Sequence, residues 1–281
     1  MPRALRPLSS LSLLLLLAPA MAQAGWIIEW STSAANNKGA NMASEAATQS
    51  IAGNRVRLEQ PHIVTLVDYG QDRFTLINPN KQYFWSGTTD QYVLEMKAAR
   101  AKGMQDKMGD IKGMMGGDKA AKAKKDPGSP AVDPATLPPV SVSATGTTET
   151  IAGYEAVKYE VRVGGDLYEE VWIAPLDVSA DLDGARFMAQ QQKLAAARSG
   201  KSAAAGNAVY RTPEYAKLFE KGLALKTVSH HASGTFERKA TAVKQAEVSA
   251  AAFEVPESYR KVRLSDLLDP PPTPAPSAPG K

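Results

Sequence analysis

Along much of the chain apolar and polar residues alternate one by one, the period of a strand with one dry and one wet face. WIIEW (26–30) puts Trp26, Ile28 and Trp30 on one side. NRVRLEQ (54–60) sets Val56 and Leu58 against Arg55, Arg57 and Glu59. HIVTLVD, RFTLIN and QYFWSG follow, parted by the turn sequences DYGQD and NPNK. Turns this short make neighbouring strands antiparallel, so 26–87 reads as a β-meander.

The period then lengthens. Thr88 or Thr89 caps a helix with Asp90 in its first turn, and Tyr92, Met96, Met104, Met108, Ile111 and Met115 fall near one stripe. This predicts a Met-rich basic helix over about 89–115. Gly103, Gly109 and Gly113 each weaken it by about 1 kcal/mol relative to alanine. A flexible linker is expected over 116–139, with five prolines in 127–139. Alternation returns at Val140. In the predicted hairpin TETIAGYEAVKYEVRV, Val157, Tyr159, Val161 and Val163 face one way and Lys158, Glu160 and Arg162 the other. A strand with Trp172, two helices at 183–198 and 212–221, and two more strands follow. Residues 266–281 read as a disordered Pro-rich tail. Ile-Ala-Gly recurs at a strand-to-strand turn in QSIAGNRVRLE (49–59) and ETIAGYEAVKYEV (149–161).

Composition adds a compartment. Arg3 and Arg6 precede the apolar run Leu11 to Leu17, and Ala22-Gln23-Ala24 has the A-x-A form of a cleavage site. Residues 1–24 are therefore expected to be a signal peptide cut between Ala24 and Gly25. The run is too short to span a bilayer well, so no transmembrane span is expected after cleavage. The expected location is the periplasm, with secretion to the medium as the alternative. The chain has 33 basic and 29 acidic residues, and the leader carries two of the arginines and no acid. So even a balance argues against a nucleic-acid partner, which needs a concentrated basic face. The chain contains no cysteine, which excludes disulfides, thiolate nucleophiles and thiolate metal sites.

Candidate chemistry is sparse. The three histidines are His62, His230 and His231, and adjacent strand residues point to opposite faces, so the pair cannot easily clamp one metal. No nucleophile elbow, zinc-protease helix or dinucleotide fingerprint occurs. Gly200-Lys201-Ser202 lacks the earlier glycine of a phosphate loop, since position 195 is alanine. SADLDGARFMAQ (179–190) spaces Asp181, Asp183 and Gly184 like a calcium loop, but Ser179 and Gln190 stand where aspartate and glutamate belong. Five of nine methionines lie in 96–117, and thioethers suit Cu(I). Helical spacing without a nearby histidine fits flexible apolar filling better. The basic residues flanking the stripe also allow weak contact with a membrane surface.

TETIAGYEAVKYEV, EEVWIAP, AKLFEKGLALKT and AAFEVPESYRKV, with the NRVRLE strand and the Met-rich helix, resemble the pattern of an exported bacterial family catalogued as domain of unknown function 4412. The resemblance covers about Trp26 to Val262 and transfers no activity. That family is similar in architecture to the periplasmic lipoprotein-carrier half-barrel. The fold expected here is accordingly α+β: a single strongly curved antiparallel sheet with helices on its concave face, over one domain spanning 25–265.

No catalytic residue, metal site or cofactor is assigned, and the protein is expected not to be an enzyme. The expected function is binding of a lipid or other apolar or acylated molecule in the cell envelope. Trp26, Trp30, Phe84, Met96, Met104, Met108 and Trp172 are the expected lining. The rival readings are a structural or interaction module without a small ligand, and Cu(I) binding by the Met-rich helix.

Overall fold

The computed structural model describes residues 22–36, 41–99, 138–178, 208–231 and 234–268, together with positions 101, 182, 186, 187, 189, 190, 193 and 194. Residues 1–21, Met104 and Met108, linker residues 116–137 and the tail beyond Leu268 lie outside the described residues.

The first half contributes β1 (Ala22–Asn36), β2 (Asn41–Ala52), β3 (Arg55–Glu59), β4 (Val64–Asp68), β5 (Arg73–Asn78) and β6 (Tyr83–Gly87). Helix α1 follows over 89–99. The second half contributes β7 (Val140–Ile151), β8 (Tyr154–Val163), β9 (Asp166–Ala174), helix α2 (Pro213–Phe219), β10 (Leu223–His231) and β11 (Gly234–Ser249). The two-residue strand β12 (Arg260–Lys261) and helix α3 (Leu264–Leu268) close the described chain. All twelve strands form one sheet in the order β12-β6-β5-β4-β3-β2-β1-β11-β10-β9-β8-β7. Two antiparallel meanders are thus joined edge to edge where β1 pairs with β11, from Ala22↔Ser249 to Asn36↔Gly234. Among the described strands only β12 runs parallel to its neighbour, β6.

Both Ile-Ala-Gly sequences turn within this sheet, shifted by one residue. Ala52 still pairs with Arg55, and Gly53 takes the positive φ of 54°. In the second hairpin Ile151 pairs with Tyr154, and Ala152 and Gly153 both take positive φ, at 49° and 87°. Two positive φ values suit the right-handed twist of a tight hairpin.

The expected architecture is corrected here. Among the described residues the molecule is mostly β, its sheet does not close into a barrel, and the helices are too few and short for an α+β fold with a helical layer on a concave face. The physical reason is that the sheet buries apolar side chains on both faces. Val56, Val67, Phe74, Leu76 and Trp85 join the main core, which α1 and α3 cover with Tyr92, Met96, Leu264 and Leu267. From the alternate positions Val64, Leu66 and Ile77 form a second cluster under Val255 and Tyr259. Val161, Val171 and Ile173 form a third under Val209, Tyr215 and Leu218. Small covers on opposite sides replace one roof over one hollow. The Met-rich helix is described only at its start, where Met96 is half-buried against the main core. Leu264 and Leu267 are buried, so the packed body runs to α3. No described helix is long and apolar enough to cross a membrane.

Candidate functional site: an open groove and three polar networks

Of the residues expected to line a ligand site, the described ones fall on two separate clusters. Trp30 is buried, and its Nε1 donates to Gln49 Oε1 at 3.1 Å. Trp172 is buried in the same core, with Lys226 Nζ 4.3 Å and Lys158 Nζ 5.3 Å from its ring centroid. Trp26 and Met96 pack against that core. Phe84 packs instead on the cluster of Val64, Leu66 and Ile77. Trp85, not anticipated, anchors α1. Its ring lies 5.9 Å from Tyr92, and its Nε1 donates to Glu95 Oε2 at 3.0 Å.

An open groove of about 490 Å³ lies over β4 and β5. Its floor is Val64 of β4 and Ile77 of β5, one wall is Ala46 and Ala47 of β2, and the other is Pro256 and Tyr259. Small and proline side chains leave the space open where alternation brings apolar positions to the surface. Arg57 and Glu59 edge it. Arg57 holds Glu59 Oε2 through Nε at 3.2 Å and Nη2 at 2.9 Å, and its Nη1 donates to the Ala252 carbonyl at 2.9 Å. That last bond ties the C-terminal wall to β3. A crevice of about 70 Å³ beside Gly25, Trp26 and Val178 holds little more than water.

Three polar networks lie elsewhere on the sheet. Glu169 of β9 is 4% exposed and accepts from Tyr215 Oη at 2.7 Å and Ser229 Oγ at 2.8 Å. Burial pushes its carboxyl above the ordinary range, and the two hydroxyl bonds only partly offset this. Burial also drives the Tyr210 and Tyr215 phenols far up, with the Glu169 charge adding to it. Thr212 caps α2 and aims Tyr215 inward: its Oγ1 accepts from Tyr215 N at 3.4 Å and donates to Val209 O at 2.8 Å. With both oxygens satisfied and α2 packed over it, this carboxyl is built to hold the helix.

The next residue, Glu170, points the opposite way and pairs with Lys158 and with His230 Nε2 at 3.0 Å. Burial works to raise Glu170, but the bonds from Lys158 and His230 prevail and hold it low. Glu149 of β7 takes Lys239 Nζ at 2.8 Å and Lys226 Nζ at 3.3 Å, and chiefly the Lys239 bond holds it below the ordinary range. β7 lies three and four places from β10 and β11 in the sheet. At about 4.8 Å per strand a flat sheet would part them by about 14 Å or more, so the sheet folds over locally at this end. The third network is the half-buried Arg238. Its Cζ lies 3.7 Å from the Trp30 ring centroid, and Nη2 donates to Gln49 Oε1 at 3.4 Å. Burial lowers its pKa to about 10.

His230 and His231 point to opposite faces, as their adjacency requires, and His231 is exposed. Among the described residues no three His, Asp or Glu converge to hold a metal ion. Asp181 and Asp183 lie outside the described residues. Gln190 is buried, with its Nε2 donating to Thr89 Oγ1 at 2.8 Å.

Comparison with known proteins adds little. No family model matches the chain, and no curated protein does. The solved structures similar to it include two crystal forms of a protein described as PNGF-II. Over 86% of this chain and 32% of that one, the first shows 12% identity and a TM-score of 0.35. The second shows 12% identity and a TM-score of 0.33, over 82% of this chain and 30% of that one. The chain therefore spans about a third of those proteins, at a likeness too low to assign a fold family or a function.

Proposed function

We propose that this is an exported, non-enzymatic protein of the cell envelope that binds a small apolar or acylated molecule in the groove between β2–β5 and the Pro256–Tyr259 wall. The observation that carries the reading is the groove itself. At about 490 Å³ it falls in the size range of small-molecule sites, and it pairs an apolar floor with one charged edge. An acyl chain would lie along Val64 and Ile77, with its polar end toward Arg57 and Glu59. The leader-like residues 1–24 and the resemblance to the exported family support the location. Protein purified from the envelope should yield a bound lipid or acylated molecule on solvent extraction and mass spectrometry. Recovery of none, with no saturable uptake of a fluorescent fatty acid, would sink the reading.

A second reading is an interaction module without a small ligand. It is favoured by β7, a twelve-residue edge strand paired on one side only and largely exposed. That reading predicts partner capture after cross-linking in cells and an empty groove.

A further inference from the structure

We infer that Arg238, Gln49 and Trp30 form an oxyanion-binding site on the face of β1–β2 opposite the groove, suited to the carboxylate or phosphate of a small molecule. The register assembles it. Trp30 pairs with Ala47 on β2 and Ala240 on β11, Ile28 pairs with Gln49, and Thr32 pairs with Arg238. Arg238 and Gln49 therefore flank the Trp30 indole from its two neighbouring strands. Thr48, which lines the groove, is adjacent to Gln49 and so points the other way.

The hydrogen-bond inventory of this cluster is lopsided. Gln49 Oε1 accepts from both Trp30 Nε1, at 3.1 Å, and Arg238 Nη2, at 3.4 Å. A guanidinium offers five donors and an amide nitrogen two. Among the described residues one of these seven is used, and the one acceptor is already shared. Among the described residues no carboxylate pairs with Arg238. Glu237 and Lys239, its neighbours on β11, point to the other face, where Lys239 binds Glu149. A half-buried guanidinium without a counter-charge is costly, and an anion relieves that cost. Stacking on the indole fixes the plane of the fork, the geometry that recognises an oxyanion through two parallel bonds.

The site is independent of the groove, and its test uses probes without an acyl chain. Thermal unfolding of the whole protein would be followed in acetate or inorganic phosphate, with ionic strength balanced by chloride. A saturable rise in Tm over chloride is expected, and the stronger of the two anions identifies the source chemistry. Arg238→Met should weaken half-saturation at least about tenfold. Gln49→Glu supplies an internal carboxylate, so it should raise the Tm and abolish the anion response. If Arg238→Met does not fold, Arg238→Lys, which keeps the charge but not the fork, should still weaken the response. An unchanged Tm in both anions, or a response that survives Gln49→Glu, overturns the site.

Discussion

Glu169 and Glu170 are neighbours on one strand and titrate in opposite directions. Burial favours the protonated form of Glu169, whose folded pKa lies above the ordinary 4.5. Its contribution is therefore present in full below that value and declines as pH rises through it toward the folded pKa. Glu170 and Glu149 are held below 4.5. Their contribution is present above that value and is lost as pH falls through their folded pKa values. Denaturant unfolding across pH should show Glu169→Gln flattening the decline above pH 4.5. Glu169→Ala strands the Tyr215 and Ser229 hydroxyls and should cost about 2 kcal/mol even in acid. A Glu169→Gln profile parallel to the parent would refute the assignment. Adjacency on a strand sends the two carboxylates of YEEVWIA to opposite faces. Which of them is buried was not legible in the sequence, because that depends on Ser229 and Tyr215, 60 and 46 residues away.

At the scale of elements, α2 is set by its cap. Pro213 opens its first turn and Thr212 closes the bonds at its start. Thr212→Ala should lower stability by about 1 kcal/mol, and Thr212→Ser should restore most of it, as read from denaturant midpoints. A loss under 0.3 kcal/mol, on the order of an ordinary surface change, would mean the cap is dispensable. This helix, β3 to β6 and the β8 hairpin were readable because their own side chains carry the period. β2 was not. NMASEAATQSIA offers mainly alanine, serine and threonine, and it becomes a strand because β1 and β3 pair with it on both sides. The groove escaped for a related reason. Ala46 and Ala47 matter by what they leave open, and Tyr259 arrives from the far end of the chain. Arg238 was visible only as a charged residue in an alternating strand, since its place over Trp30 is fixed by the β1–β11 register.

At the scale of the molecule, twelve strands in one open sheet leave apolar area on both faces, and three separate covers bury most of it. The cover over β4 and β5 is incomplete, and the groove is the part left open. An α+β reading followed from assigning one dry face to the whole sheet. β5 already argued otherwise, since Phe74, Thr75, Leu76 and Ile77 are all buried. The most direct measurement is the titration of a fluorescent fatty acid into the full protein and into Ala46→Trp, which fills the groove from its exposed wall. Saturable binding weakened at least about tenfold by the substitution is the predicted result, the loss of roughly one buried side chain's worth of contact. Equal binding to both proteins, or to neither, would contradict the groove as the ligand site.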